Sequence, residues 1–133
     1  MLKFTEKAVD RLAARQRATG EVRHIMGVVR AHGDARGAAL PDATLEAEVR
    51  ATLERCEFLG LASDADRTSL CLLEIIQFPG LRDLPKLRGL LDYADGPAQA
   101  RMPALFLVAP PILWKGLGER AEAVRRERGW PAS

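Results

Sequence analysis

Aromatic side chains are scarce in this sequence, at 5% of 133 residues. Its core must therefore be filled by leucine, valine, isoleucine and alanine, a composition that favours helices. Cysteine is nearly absent as well. Cys56 and Cys71 stand fifteen positions apart with no second pair nearby, which excludes a disulfide framework and makes both read as small buried hydrophobes. His24 and His32 are the only histidines. Two turns of helix separate them by ~12 Å of rise, too far to share a metal ion. No glycine run matches a phosphate loop or a dinucleotide fingerprint, no serine sits in a G-x-S-x-G elbow, and "GLGERA" near 116 lacks the preceding strand a phosphate loop requires. No cofactor is expected.

Long apolar runs are missing too. "MLKFTEKAVD" holds no uninterrupted apolar stretch of the length a secretory signal needs. "PALFLVAPPILW" at 103–114 is far short of the ~20 residues of a spanning helix and contains three prolines. A cytoplasmic protein with no membrane partner is expected.

What is present is the ordinary stuff of one globular domain: 47% hydrophobic and 29% charged residues, in a chain long enough for one real core. The net charge of +2 is too small to announce nucleic acid, but it is unevenly spread. Residues 1–30 carry seven Lys or Arg against three acids, and residues 42–66 carry seven acids against two arginines.

Apolar residues recur at helical spacing throughout. Val9, Leu12 and Ala13, then Val22, Ile25, Met26 and Val29, predict one long helix or two short ones over about 5–32, with Thr5 as N-cap and Gly20 as a weak point. Lys3, Lys7, Arg11 and Arg15 form a basic stripe on its solvent face. After a loop at 32–42, Leu45, Val49, Leu53 and Cys56 predict a second helix ending near Gly60. "SDAD" at 63–66 matches a capping box, Ser63 capping and Asp66 reaching back. The third helix, about 64–77, is apolar on nearly all sides around Leu70–Ile76, the pattern of a central helix.

"EIIQFPGLRDLP" at 74–85 reads as a corner: Pro79 disfavours helix at Phe78, Gly80 permits a left-handed turn, Asp83 caps the next helix and Pro85 fits its first turn. Phe78 and Leu81 are expected in the core. Leu87, Leu90 and Leu91 mark this fourth helix, ending before "DGP" at 95–97. Met102, Leu105, Phe106 and Val108 mark a fifth, in which Pro103 either kinks the middle or lies near the start. Pro110 and Pro111 open a sixth, carrying Ile112, Leu113, Leu117, Ala121 and Val124, before "RRERGWPAS" frays. No segment alternates as a strand does. The expectation is an all-α, single-domain bundle of five to seven helices around the central helix at about 64–77, covering 1–133, with the segment 111–133 free to protrude.

Glu74 is the single charge in the most apolar helix. It is either the carboxylate of a small active site or a structural group that reaches solvent or pairs with an arginine such as Arg82 or Arg101. Tryptophan and arginine are enriched at interface hot spots, so Trp114, Lys115, Arg125, Arg126 and Trp130 form the candidate partner interface. The alternative for Trp114 and Trp130 is a cap on the core.

Several of these elements stand in a particular order: Arg50 and Arg55 in a helix ending at Phe58-Leu59-Gly60-Leu61, the acidic cap Ser63 to Asp66, the Phe78-Pro79-Gly80-Leu81 corner before Pro85, and Leu90-Leu91. In that order, over residues 20–109, the chain resembles a family of small helical bacterial proteins often encoded beside type VI secretion spike and effector genes. It departs from them at Cys56-Glu57-Phe58-Leu59, where a tyrosine-glycine ending is usual, and after Pro110. The resemblance implies a non-catalytic binding partner of a secreted toxin, either an immunity protein or a loading adaptor or chaperone. Two other readings compete with it: a nucleic-acid-binding regulator using the basic stripe, and a small enzyme centred on Glu74.

Overall fold

The computed structural model describes residues 6–32, 39–93 and 101–131. Among them are six α-helices and no strand, an all-α bundle as the sequence predicts. Thr5, Lys3 and the "DGP" at 95–97 lie outside the described residues.

Helix α1 spans Glu6–Ala31 and passes through Gly20 without a break. Its second half anchors it, with Val22, Ile25 and Val29 at 2% exposure or less. Its first half overshoots the bundle: Val9 and Leu12 are 52% and 58% exposed, and Lys7, Arg11 and Arg15 are exposed as expected. Thirteen residues at about 100° each turn Val9 ~140° away from Val22, so the two apolar sets cannot share a face.

Helix α2, Asp42–Leu59, buries Leu45, Val49, Leu53 and Cys56, the stripe read from the sequence. It ends where Gly60 takes φ 73° and its N–H bonds Glu57 O, while Leu61 N bonds Cys56 O at 3.0 Å. These two bonds satisfy carbonyls that a helix end otherwise leaves open. Arg30, at the end of α1, donates to Leu40 O and to Asp42 at the start of α2, so the two helices run antiparallel.

Helix α3, Asp64–Leu72, continues as a π-helical turn over Leu73–Gln77 and meets α1, α2 and the later helices. Leu70, Cys71 and Ile75 are at most 1% exposed. Ser63 caps it as predicted, its Oγ accepting from Asp66 N at 3.1 Å. Asp66 does not reach back. Its buried carboxylate accepts instead from Arg101 N and Met102 N, both at 3.0 Å.

That bond decides the question of Pro103. Helix α5 spans Arg101–Val108, so Pro103 lies in its first turn. Two N–H groups there go to Asp66 and the proline has none to satisfy. A negative group also suits the positive helix end. Between α3 and α5, Gly80 adopts φ 99°, a 3₁₀ turn covers Leu81–Asp83, and helix α4 spans Leu87–Tyr93. Leu81, Leu87 and Leu91 are fully buried, and Phe78 is half-buried against the core. Asp83, expected to cap α4, accepts from Arg128 at 3.1 Å instead.

Helix α6, Pro111–Glu127, starts with proline at its first position and buries Leu117, Ala121 and Arg125. The expected fraying after it does not occur as far as Pro131. Gly129 takes φ 73°, Gly129 N bonds Arg126 O, Trp130 N bonds Arg125 O at 2.9 Å, and Trp130 turns into the core at 7% exposure. The glycine supplies the left-handed residue that ends the helix, and the tryptophan supplies the apolar contact that goes with it.

Both thiols are free and buried. Burial is the main cause that pushes Cys56 up to about 12, and it pushes Cys71 up as well. The native state keeps these thiols protonated while the unfolded chain ionises them near pH ~8.5. Their contribution is therefore complete below that pH and is lost as the pH rises toward about 12. Chemical denaturation across pH 8–11 should show stability falling, and Cys56→Ala, Cys71→Ala should flatten that fall. Asp66→Ala should cost about 2–3 kcal/mol by stranding two N–H groups, against about 1 kcal/mol for Ser63→Ala, read by urea unfolding.

Candidate functional site

Glu74 is 0% exposed, so it does not reach solvent. Its Oε1 accepts from Gly80 N at 2.9 Å and from Arg128 Nη1 at 2.6 Å, and its Oε2 accepts from Arg82 N at 2.9 Å. Arg82 Nε is 3.8 Å away, one of the two partners the sequence suggested. Arg101 serves elsewhere, bonding Asp92 and Gly60 O. Arg128 could not be recognised from the sequence, because 54 residues separate it from Glu74 and it stands in a stretch that reads as frayed.

Arg82 also bonds Glu48 at 2.6 Å and Thr52 Oγ1 at 3.1 Å. The carboxylates of Glu74 and Glu48 and the guanidiniums of Arg82 and Arg128 thus form one buried cluster under the corner, with the exposed Asp83 at its edge on Arg128. Glu74 lines neither the apolar groove along α3 nor the cleft beside Phe58, and both its oxygens are committed. Its geometry is that of a structural carboxylate.

The groove along α3, of about 330 Å³, is lined by Leu72, Leu73, Ile76 and Phe106, with His32, Ser69 and Gln77 among its polar residues. The π-helical turn contributes here: Phe78 N bonds Leu73 O five residues back, and Ile76 O is taken by Arg125 at 3.1 Å. Turns of this type are frequent at functional sites. Beside the groove, Trp114 stacks on Phe106 at 4.9 Å and tilts against Phe78 at 5.2 Å.

The end of α5 and the start of α6, joined at Pro110, extend this surface. Leu107 is 88% exposed, Ile112 77%, Phe106 48% and Val108 38%. The nearly uncharged run at 103–114 thus places four large apolar side chains in water. An eight-residue helix that is apolar almost all round has more apolar surface than one core contact covers. Helical spacing in "LFLVAPPI" marks Phe106, Val108 and Ile112 as helix positions and does not by itself separate core from surface.

Of the sequence-predicted interface residues, Trp114 stands beside the groove, stacked on Phe106. Lys115 and Arg126 are exposed on α6. Arg125 and Trp130 are turned inward at 4% and 7% exposure, and Arg125 is committed to Glu122 and Ile76 O. The five residues do not form one surface. His24 and His32 are both exposed, and no group of three or more metal-ligating side chains occurs among the described residues. No helix of the described residues is long and apolar enough to cross a membrane. Compared with known proteins, the chain matches no family model, no curated sequence and no solved structure at a significant level.

Removing one member of the buried cluster leaves the others uncompensated. Glu74→Ala should destabilise by about 3–5 kcal/mol and Arg128→Ala by a similar amount. The double variant should cost clearly less than the sum, as a double-mutant cycle in urea would show.

Proposed function

We propose that the protein acts by binding another protein, and that the apolar groove between α3 and α5, with its extension over Leu107 and Ile112, is the face that docks. The observation that carries this reading is the cluster of exposed apolar side chains beside a concave, mostly apolar groove. Such patches are rare on chains that work alone and typical of binding faces. Phe106 and Trp114 supply rigid aromatic anchors, and the polar groups of His32, Ser69 and Gln77 supply orientation. The natural occupant is an apolar helix face of the partner.

The resemblance read from the sequence supplies the partner's identity: the product of a neighbouring effector gene, bound in the cytoplasm of the producing cell. Immunity and loading predict different outcomes for such a complex. Suppressed toxicity on co-expression supports immunity. Weaker delivery of a non-toxic partner in the absence of this protein supports the adaptor role. A second reading rests on the exposed basic residues of the α1 overshoot, and it predicts nucleic-acid binding that is lost steeply with added salt.

Leu107→Glu and Ile112→Lys test the docking face, because both side chains stand in water and add nothing to the core. Calorimetric titration with the neighbouring gene product should show affinity falling by about 100-fold for each, the size of a hot-spot loss. The melting temperature should stay within a degree or two of the parent. Unchanged affinity in both variants, or no complex with either neighbour, would end this reading.

A further inference from the structure

The arginines around the core each bond a carboxylate: Arg67 to Glu21 and Glu57, Arg82 to Glu48, Arg101 to Asp92, and Arg128 to Glu74. Two arginines beside the end of α2 are arranged differently. Arg55 on α2 and Arg88 on α4 both place their guanidinium over the ring of Phe58, at 4.5 and 5.0 Å from its centroid. Neither bonds a carboxylate among the described residues. Phe58 itself is 54% exposed, so the ring is a platform at the surface and no part of the core.

We infer that Arg55, Phe58 and Arg88 form a receptor for a carboxylate side chain of the partner protein. The inference rests on the protein-binding reading and adds the chemistry of a second contact. Stacking over a ring consumes no N–H group, so the Nη groups of Arg55 and the guanidinium of Arg88 can grip a carboxylate in a fork. Arg55 is already set in place, because its Nε donates to Arg82 O at 2.8 Å. Two cations sharing one ring repel each other, and a carboxylate seated between them removes that repulsion.

A cleft of about 370 Å³ adjoins the ring, lined by Ala51, Glu54, Arg55, Phe58, Arg82 and Asp83. It has room for a side chain or two. Glu54 and Asp83 set a limit on the ligand: a single acidic side chain can avoid them, whereas a chain of phosphates meets their repulsion. The site therefore fits an acidic protein segment and disfavours nucleic acid.

The test is a titration of the full chain with an end-capped peptide carrying one glutamate among glycines and serines, followed by NMR of the arginine Nε–H groups. Arg55 and Arg88 should shift first. Arg88→Glu should weaken the peptide by about tenfold, and Phe58→Leu, which removes the platform without touching charge, should weaken it too. Both sites are exposed, and unchanged circular dichroism confirms the fold. Shifts of equal size at Arg11, Arg15, Arg120 and Arg126, unaltered binding by Arg88→Glu, or preferential binding of oligothymidylate at this site would each overturn the inference. Leu107→Glu separates the two proposals, since it should leave the peptide titration unchanged. If the peptide does not bind while the neighbouring gene product still does, only the carboxylate receptor fails. If the peptide binds and neither neighbour does, only the docking reading fails.

Discussion

A carboxylate taken out of water survives only where donors surround it, and the Glu74 cluster shows how much of a small fold one such group can organise. Two of its donors are backbone N–H groups of the Gly80–Arg82 turn, so the corner cannot open without stranding the charge. A third is the guanidinium of Arg128, which ties the end of α6 to the middle of the chain. The glycine at 80 completes the arrangement. It adopts φ 99°, and a Cβ there would meet Val124 of α6 at 3.4 Å. Charge, turn and helix packing are three aspects of one constraint.

Asp66 does the same work at the other end of α3. It is a buried acid that satisfies the start of α5, as Glu74 satisfies the turn after α3. The central helix therefore carries a carboxylate near each end, each spent on the backbone of another element. Arg67, one residue on, bonds both Glu21 of α1 and Glu57 of α2, and the hydrogen bonds to Glu21 and Glu57 hold its pKa above the ordinary arginine value against the cost of burial. Polar groups on α3 thus fix the positions of α1, α2, α5 and α6, while its leucines fill the space between them.

The helices themselves were legible in the sequence because the chain signals its boundaries strongly. Gly60, Ser63, Pro79-Gly80 and Pro110-Pro111 all mark the ends that the structure shows. What sequence spacing could not carry was any partner far away along the chain. Asp66 looks like half of a capping box, and nothing local says that its acceptor oxygens belong to residues 101 and 102. Glu74 could be recognised as exceptional, but Arg128 could not be chosen from among the arginines. Apolar residues raised a matching difficulty. Helical spacing marks Val9, Leu12, Phe106 and Ile112 as core, yet the overshoot of α1 and the short connection between α5 and α6 leave them exposed. The candidate binding face was hidden for that reason.

The closing of α6 has a bearing on biosynthesis. Residues 125–130 provide Arg128 for the central carboxylate and Trp130 for the core, and they are made after every helix they stabilise. While they are still inside the ribosome, the nascent chain holds Glu74 without its guanidinium, and the leucines of the middle segment lack their last cover. Domains that must wait in this way expose sticky surface in the interval. The bundle can close only once residues 125–130 have left the ribosome, because Arg128 and Trp130 complete the charge cluster and the core.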